Sequence, residues 1–202
     1  MVGAVLFYLP FLSRQFMGDD WLWLSNAKRA LNDPIVFLQR PMYGYFRPLN
    51  MVIVFLWSHI LGINAPLFSL VNILLHAGNV FLLGKVLDRL GVERMTRNLA
   101  VLIFAFYFLN SPAIEWISVG HDLWVTGLCL VFVLRLLKFI EQPRTSTFLQ
   151  LFFIGLAATL IKESGFVTLG IFFMALLLKR KSPLAKEYRV YSLALAVSYL
   201  AF

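Results

Sequence analysis

Apolar runs separated by short polar breaks leave this chain few folds to choose from. The clearest run, residues 67–87, carries no Asp, Glu, Lys or Arg before Lys85. As a helix it would measure about 31 Å, against about 30 Å for the hydrocarbon core of a bilayer. Of the 202 residues, 60% are hydrophobic and 14% charged, too little charge to cover a soluble domain of this length. The expected fold class is all-α, a polytopic transmembrane helical bundle.

Spans are expected at about 2–17, 66–87, 99–112, 122–138, 147–161, 165–178 and 190–202, with a first external loop over 13–47. Residues 147–178 form one apolar tract broken only by Lys162-Glu163-Ser164-Gly165. As one helix the tract would measure about 48 Å, so a hairpin with the charged pair at its apex is expected. Inside the loop, Trp21, Leu24, Ala27 and Leu31 recur at helical spacing. The last run stops at Ala201-Phe202, so the chain reads as the N-terminal part of a larger module. Cys129 is the sole cysteine and can form no internal disulfide.

Charge sorts the breaks. Most of the 18 Lys and Arg residues lie near 85–97, 135–144 and 179–189, whereas the breaks at 111–122 and 162–163 hold Lys162 alone. The positive-inside rule makes the first set cytoplasmic and the second external. The net charge of +8 is thereby a topology signal, and no nucleic-acid partner is expected. Residues 48–62 are too short to span comfortably and read as an interfacial or re-entrant helix on the outer side. Trp21, Trp23, Trp57, Trp116 and Trp124 fall on or beside the outer breaks, as an aromatic belt would. On this topology Asp19, Asp20, Arg47, Glu115, His121, Asp122, Lys162 and Glu163 share one membrane face.

Each candidate has two readings. Asp19-Asp20 suits a general base with a neighbour that tunes it, or a helix N-terminus just before Trp21. Arg47 suits bidentate phosphate binding, or snorkelling before a proline-started helix. Glu115, His121 and Asp122 match no metal-ligand spacing, so no cofactor is expected; a divalent metal is an open alternative that the spacing does not indicate. Asn72, His76 and Asn79, at i, i+4 and i+7, form a polar face suited to inter-helix hydrogen bonds. Lys162-Glu163 suits a self-neutralising turn or a meeting point for an anionic head group.

Taken in order, the motifs are more specific than any one of them. An acidic pair is followed by Phe46-Arg47-Pro48-Leu49, Leu70-Val71-Asn72-Ile73-Leu74-Leu75-His76, Ser111-Pro112-Ala113-Ile114-Glu115, Gly120-His121-Asp122-Leu123 and Lys162-Glu163-Ser164-Gly165. This order resembles the N-terminal half of GT-C fold membrane glycosyltransferases, above all the protein O-mannosyltransferase-like enzymes and their transmembrane, TPR-bearing relatives. The resemblance implies an enzyme that takes a sugar from a polyprenyl-phosphate donor and passes it, with inversion, to a hydroxyl of a protein or glycan acceptor. It implies no obligatory metal.

By the same resemblance Asp19 and Asp20 are the catalytic acids, with Asp19 at the first position as base. Arg47, Glu115, His121, Asp122, Lys162 and Glu163 then bind the donor's phosphate and sugar. Two motifs depart from the relatives: Ser111-Pro112-Ala113-Ile114 stands for a His-Pro-x-His version, and Gly120-His121-Asp122 for Gly-Arg-x-Asp. The expected location is a multi-pass integral position with the site outside, in a bacterial plasma membrane rather than the endoplasmic reticulum. The rival reading is a transporter or flippase-like protein whose charged residues line a pathway. A non-catalytic scaffold is the third.

Overall fold

Capping chemistry fixes where the helices begin. The computed structural model describes residues 2–39, 44–107 and 111–178, so the expected span 190–202 lies outside the described residues. Asn64 accepts the Leu67 N–H to start α4 (Ala65–Arg89), with Pro66 in its first turn. Glu93 does the same for α5 (Arg94–Phe106), accepting from the Met95 and Thr96 N–H groups. That cap starts α5 well before residue 99, and the helix ends at Phe106 rather than near 112. A separate short helix, α6 (Ser111–Glu115), follows.

The first apolar run is also broken. It is α1 (Val2–Tyr8) followed by a 3-10 turn, Leu9–Ser13, where Pro10 supplies no N–H to continue an α-helical ladder. The remaining helices are α2 (Asp19–Arg29), α3 (Pro48–Leu61), α7 (His121–Glu141), α8 (Thr145–Ile161) and α9 (Val167–Leu178). Among the described residues there is no β-strand.

Two helices, α4 and α7, are long and apolar enough to cross a membrane. Only 44% and 28% of their apolar windows are buried, so much of their hydrophobic surface points outward. Exposed apolar surface of this kind marks a contact with a membrane or with another protein. α5 likewise leaves Met95, Leu99, Leu102 and Ile103 exposed along one face.

α4 is the centre of the bundle. Asn72 Nδ2 donates to the Ile114 carbonyl at 3.4 Å, His76 Nε2 to Ala105 at 3.1 Å, and Asn79 Nδ2 to Leu123 at 2.8 Å. One polar face therefore fastens α6, α5 and α7 to α4 through backbone acceptors. Close approach is possible because Gly120 has no side chain: a Cβ there would lie 2.5 Å from Asn72 Oδ1.

α8 and α9 form the expected kind of turn. α8 stops at Lys162, and a 3-10 turn over Glu163–Phe166 leads into α9. Gly165 rests against the backbone of α8, where a Cβ would lie 2.3 Å from the Ala158 carbonyl carbon. The chain then folds back, and Phe172 packs into a buried cluster with Phe132, Leu136, Phe139, Phe148 and Leu151.

α2 and α3 cover one end of the bundle. Trp23 and Ala27 pack on Met51, while Phe16 and Leu24 pack on Ala65 and Phe68. α3 starts beside Glu163, through Arg47, and ends just before Asn64. About 12 Å of helix rise separates Asn64 from Asn72, and Asn72 touches Gly120 beside His121. Both ends of α3 thus lie at the same end of the bundle. The opposite end holds the Arg89–Glu141 pair, at 2.5 Å, and the Arg97–Asp88 pair.

Candidate active site

The acidic pair sits in the first turn of α2, where the helix dipole favours negative charge. Its two members differ sharply. Asp20 is 2% exposed; its Oδ2 accepts the Met17 N–H at 2.9 Å, and its Oδ1 accepts both the Ser118 N–H, at 2.5 Å, and the Ser118 hydroxyl. Asp19 is partly exposed. A carboxylate with three donors and no access to solvent is an anchor: Asp20 ties α2 to the Ile117–Val119 turn. Asp19 is the more accessible member of the pair.

Four of the other candidates form two ion pairs that join three separate breaks. Arg47 meets Glu163 with both prongs, Nε to Oε2 at 2.9 Å and Nη2 to Oε1 at 2.5 Å, and its guanidinium lies 4.5 Å from the Tyr45 ring centroid. Lys162 Nζ contacts Asp122 Oδ1 at 2.7 Å. Glu163 titrates below its ordinary value: partial burial raises it, but hydrogen bonds from Arg47 and from its own backbone, with the charges of Arg47 and Lys162, outweigh burial. His121 sits among these four charges, 8% exposed, and its Nδ1 has no hydrogen-bond partner among the described residues.

Glu115 stands in a third pair, with Arg14 at 3.2 Å. Next to it, Trp116 is packed near Gly18 with its buried Nε1 unpartnered among the described residues. Arg14, Trp116 and Ser118 belong to no motif, and sequence reasoning gave Arg14 and Ser118 no role. The signal available was indirect: a buried acid or base must find a partner nearby.

Asn72, His76 and Asn79 lie in the helix contacts described above, with their bonding groups on backbone carbonyls. Among the described residues no group of three or more His, Cys, Asp or Glu side chains is placed to hold a metal ion. An apolar groove of about 420 Å³ lies beside the site. It is lined by Trp57 and Leu74 and by Leu123, Trp124, Leu128 and Val131 of α7, whose first turn also carries His121 and Asp122. Trp23, by contrast, is 4% exposed and belongs to the α2–α3 core rather than to a surface belt.

No protein-family model, curated protein or solved structure matches this chain.

Proposed function

We propose that the chain is a polytopic membrane glycosyltransferase that moves a sugar from a polyprenyl-phosphate donor to an acceptor hydroxyl on the outer or lumenal face, with inversion. One observation carries the reading: Arg47, Asp122, Lys162 and Glu163, from three breaks far apart in sequence, form two ion pairs whose charges all act on buried His121. The two pairs keep part of their side chains accessible, so the bundle end offers both cations to a polar ligand. Unsatisfied buried polar atoms point the same way.

The chemistry follows from the groups. Asp19 takes the proton of the acceptor hydroxyl as that oxygen attacks the anomeric carbon. The bond from the anomeric carbon to the phosphate oxygen breaks, and the carrier leaves with the electron pair. Arg47 gives Nε and Nη2 to Glu163, so Nη1 remains for the leaving phosphate, as do the further hydrogens of Lys162. Glu163 and Asp122 hold the two cations in position. The groove beside Trp57 and Trp124 suits an apolar carrier chain. α3 lies on the outer face without crossing.

The test is transfer of labelled sugar from a polyprenyl-phosphate donor by the full-length protein in proteoliposomes. Asp19→Asn abolishes transfer at unchanged protein yield. Arg47→Gln lowers it by about 10²–10³, the usual cost of one transition-state donor. Wild-type levels of transfer in Asp19→Asn would reject the base, and in both variants the site.

A further inference from the structure

We infer that the opposite end of the bundle seats the headgroup phosphate of an anionic phospholipid between α4 and α5. An open groove of about 350 Å³ lies there, with Lys85, Arg97 and Asn98 at its polar part. Lys85 stands against the Phe81 ring, its Nζ 5.4 Å from the centroid, which keeps the ammonium on the groove wall. Asp88 pairs with Nη1 of Arg97, fixing the guanidinium and leaving its other nitrogens outside that pair. Two cations against one carboxylate leave the lining with a net positive charge. A phosphate complements it.

The rest of the groove selects the body of the ligand. Val80 and Val101 continue it as an apolar wall, and Gly84 lines it without a side chain, where a Cβ would lie 3.7 Å from Val101 Cγ2. Phe81, 48% exposed, also lines the groove, so its apolar part is open to acyl chains. A free anion would use only the polar part. A phospholipid uses both parts, with its phosphate at Lys85 and its glycerol and first methylenes along Val80 and Val101. This rests on the membrane reading of α4 and α5 and not on the transferase reading.

The experiment is native mass spectrometry of the full chain in detergent micelles with dioleoylphosphatidylglycerol, dioleoylphosphatidylcholine or inorganic phosphate as probe. The wild type retains phosphatidylglycerol in preference to phosphatidylcholine, and inorganic phosphate does not displace it. Lys85→Gln weakens retention about fivefold, the factor for one basic residue at an anionic leaflet. Gly84→Leu fills the groove and reduces retention with no change of charge. Lys138→Gln, an exposed cation outside the groove, leaves retention unchanged. Equal retention of the two lipids, displacement by phosphate, or an equal effect of Lys138→Gln and Lys85→Gln would overturn the site. Recovery of the chain in buffer without detergent would instead overturn the membrane reading beneath it.

Discussion

Replacing Asp20 by Asn separates an anchor from the acid proposed as the base. The native carboxylate uses one oxygen for the Met17 N–H and the other for the N–H and hydroxyl of Ser118. An amide has a single acceptor oxygen, so its NH₂ must face either Met17 N–H or Ser118 N–H, donor against donor. At least one hydrogen bond to a charged group is lost, about 1.5–3 kcal/mol, and a buried donor is left unsatisfied, about 1–3 kcal/mol more. These overlap, and about 3 kcal/mol is the expected destabilisation, near a hundredfold in the folding equilibrium. Reversible unfolding in mixed micelles reads it directly. Ser118→Ala removes only the hydroxyl and costs about 1.5–3 kcal/mol, the range for one hydrogen bond to a charged group. The double variant is less destabilised than the sum of the two, because the pair shares one contact. Asp19→Asn loses transfer activity while its unfolding midpoint moves by less than the Asp20→Asn shift. Unchanged stability in Asp20→Asn, together with lost transfer, would refute the division and make Asp20 a reacting group.

Gly165→Ala destabilises the α8–α9 turn by about 1–3 kcal/mol, the range for overpacking, because the new Cβ falls on the α8 backbone; a thermal melt in detergent checks it. Asn79→Ala costs about 0.6–1.7 kcal/mol through the lost bond to Leu123, read in the same melt. Arg47→Lys keeps the charge but not the two-pronged contact with Glu163, so transfer falls while lipid extraction and yield stay unchanged. The Glu163 carboxyl is held below its ordinary value of 4.5, so its contribution to stability is complete above that pH and is lost as pH falls through the lowered value. Unfolding midpoints measured downward from neutral pH stay flat for this group until below about 4.5 and then drop, and Glu163→Gln removes that drop.

Much of the frame was legible because long apolar helices leave long, one-sided signals. Residues 67–87 announce α4 by length alone, and Asn72, His76 and Asn79 stand out as the polar face of an otherwise apolar helix. The hairpin at Lys162-Glu163 followed from comparing tract length with bilayer thickness. Local chemistry moved the boundaries. Glu93 extends α5 backwards, and Pro10 turns the end of the first run into a 3-10 segment. At the candidate site, the residues on one face could be sorted by topology, but not who pairs with whom. Asp20 and Ser118 are 98 positions apart, and Arg47 and Glu163 are 116 apart. Such contacts depend on how α2 and α3 fold over the bundle end, which no local spacing encodes. Residue type and spacing did not separate the adjacent acids, and only the resemblance made Asp19 the base; in the structure Asp20 is buried and Asp19 partly exposed.

The placement of that bundle end outside the membrane is the claim on which the shared site stands. Single cysteines at the exposed positions Ser25, Ser164, Thr96 and Thr145, in a Cys129→Ala background, test it with a membrane-impermeant maleimide applied to intact cells. Cysteines at 25 and 164 are labelled from outside, and those at 96 and 145 only after the membrane is opened. Labelling of 164 but not 25 in intact cells would send α3 across the bilayer and part Asp19 from Arg47, Asp122 and Lys162, contradicting the account.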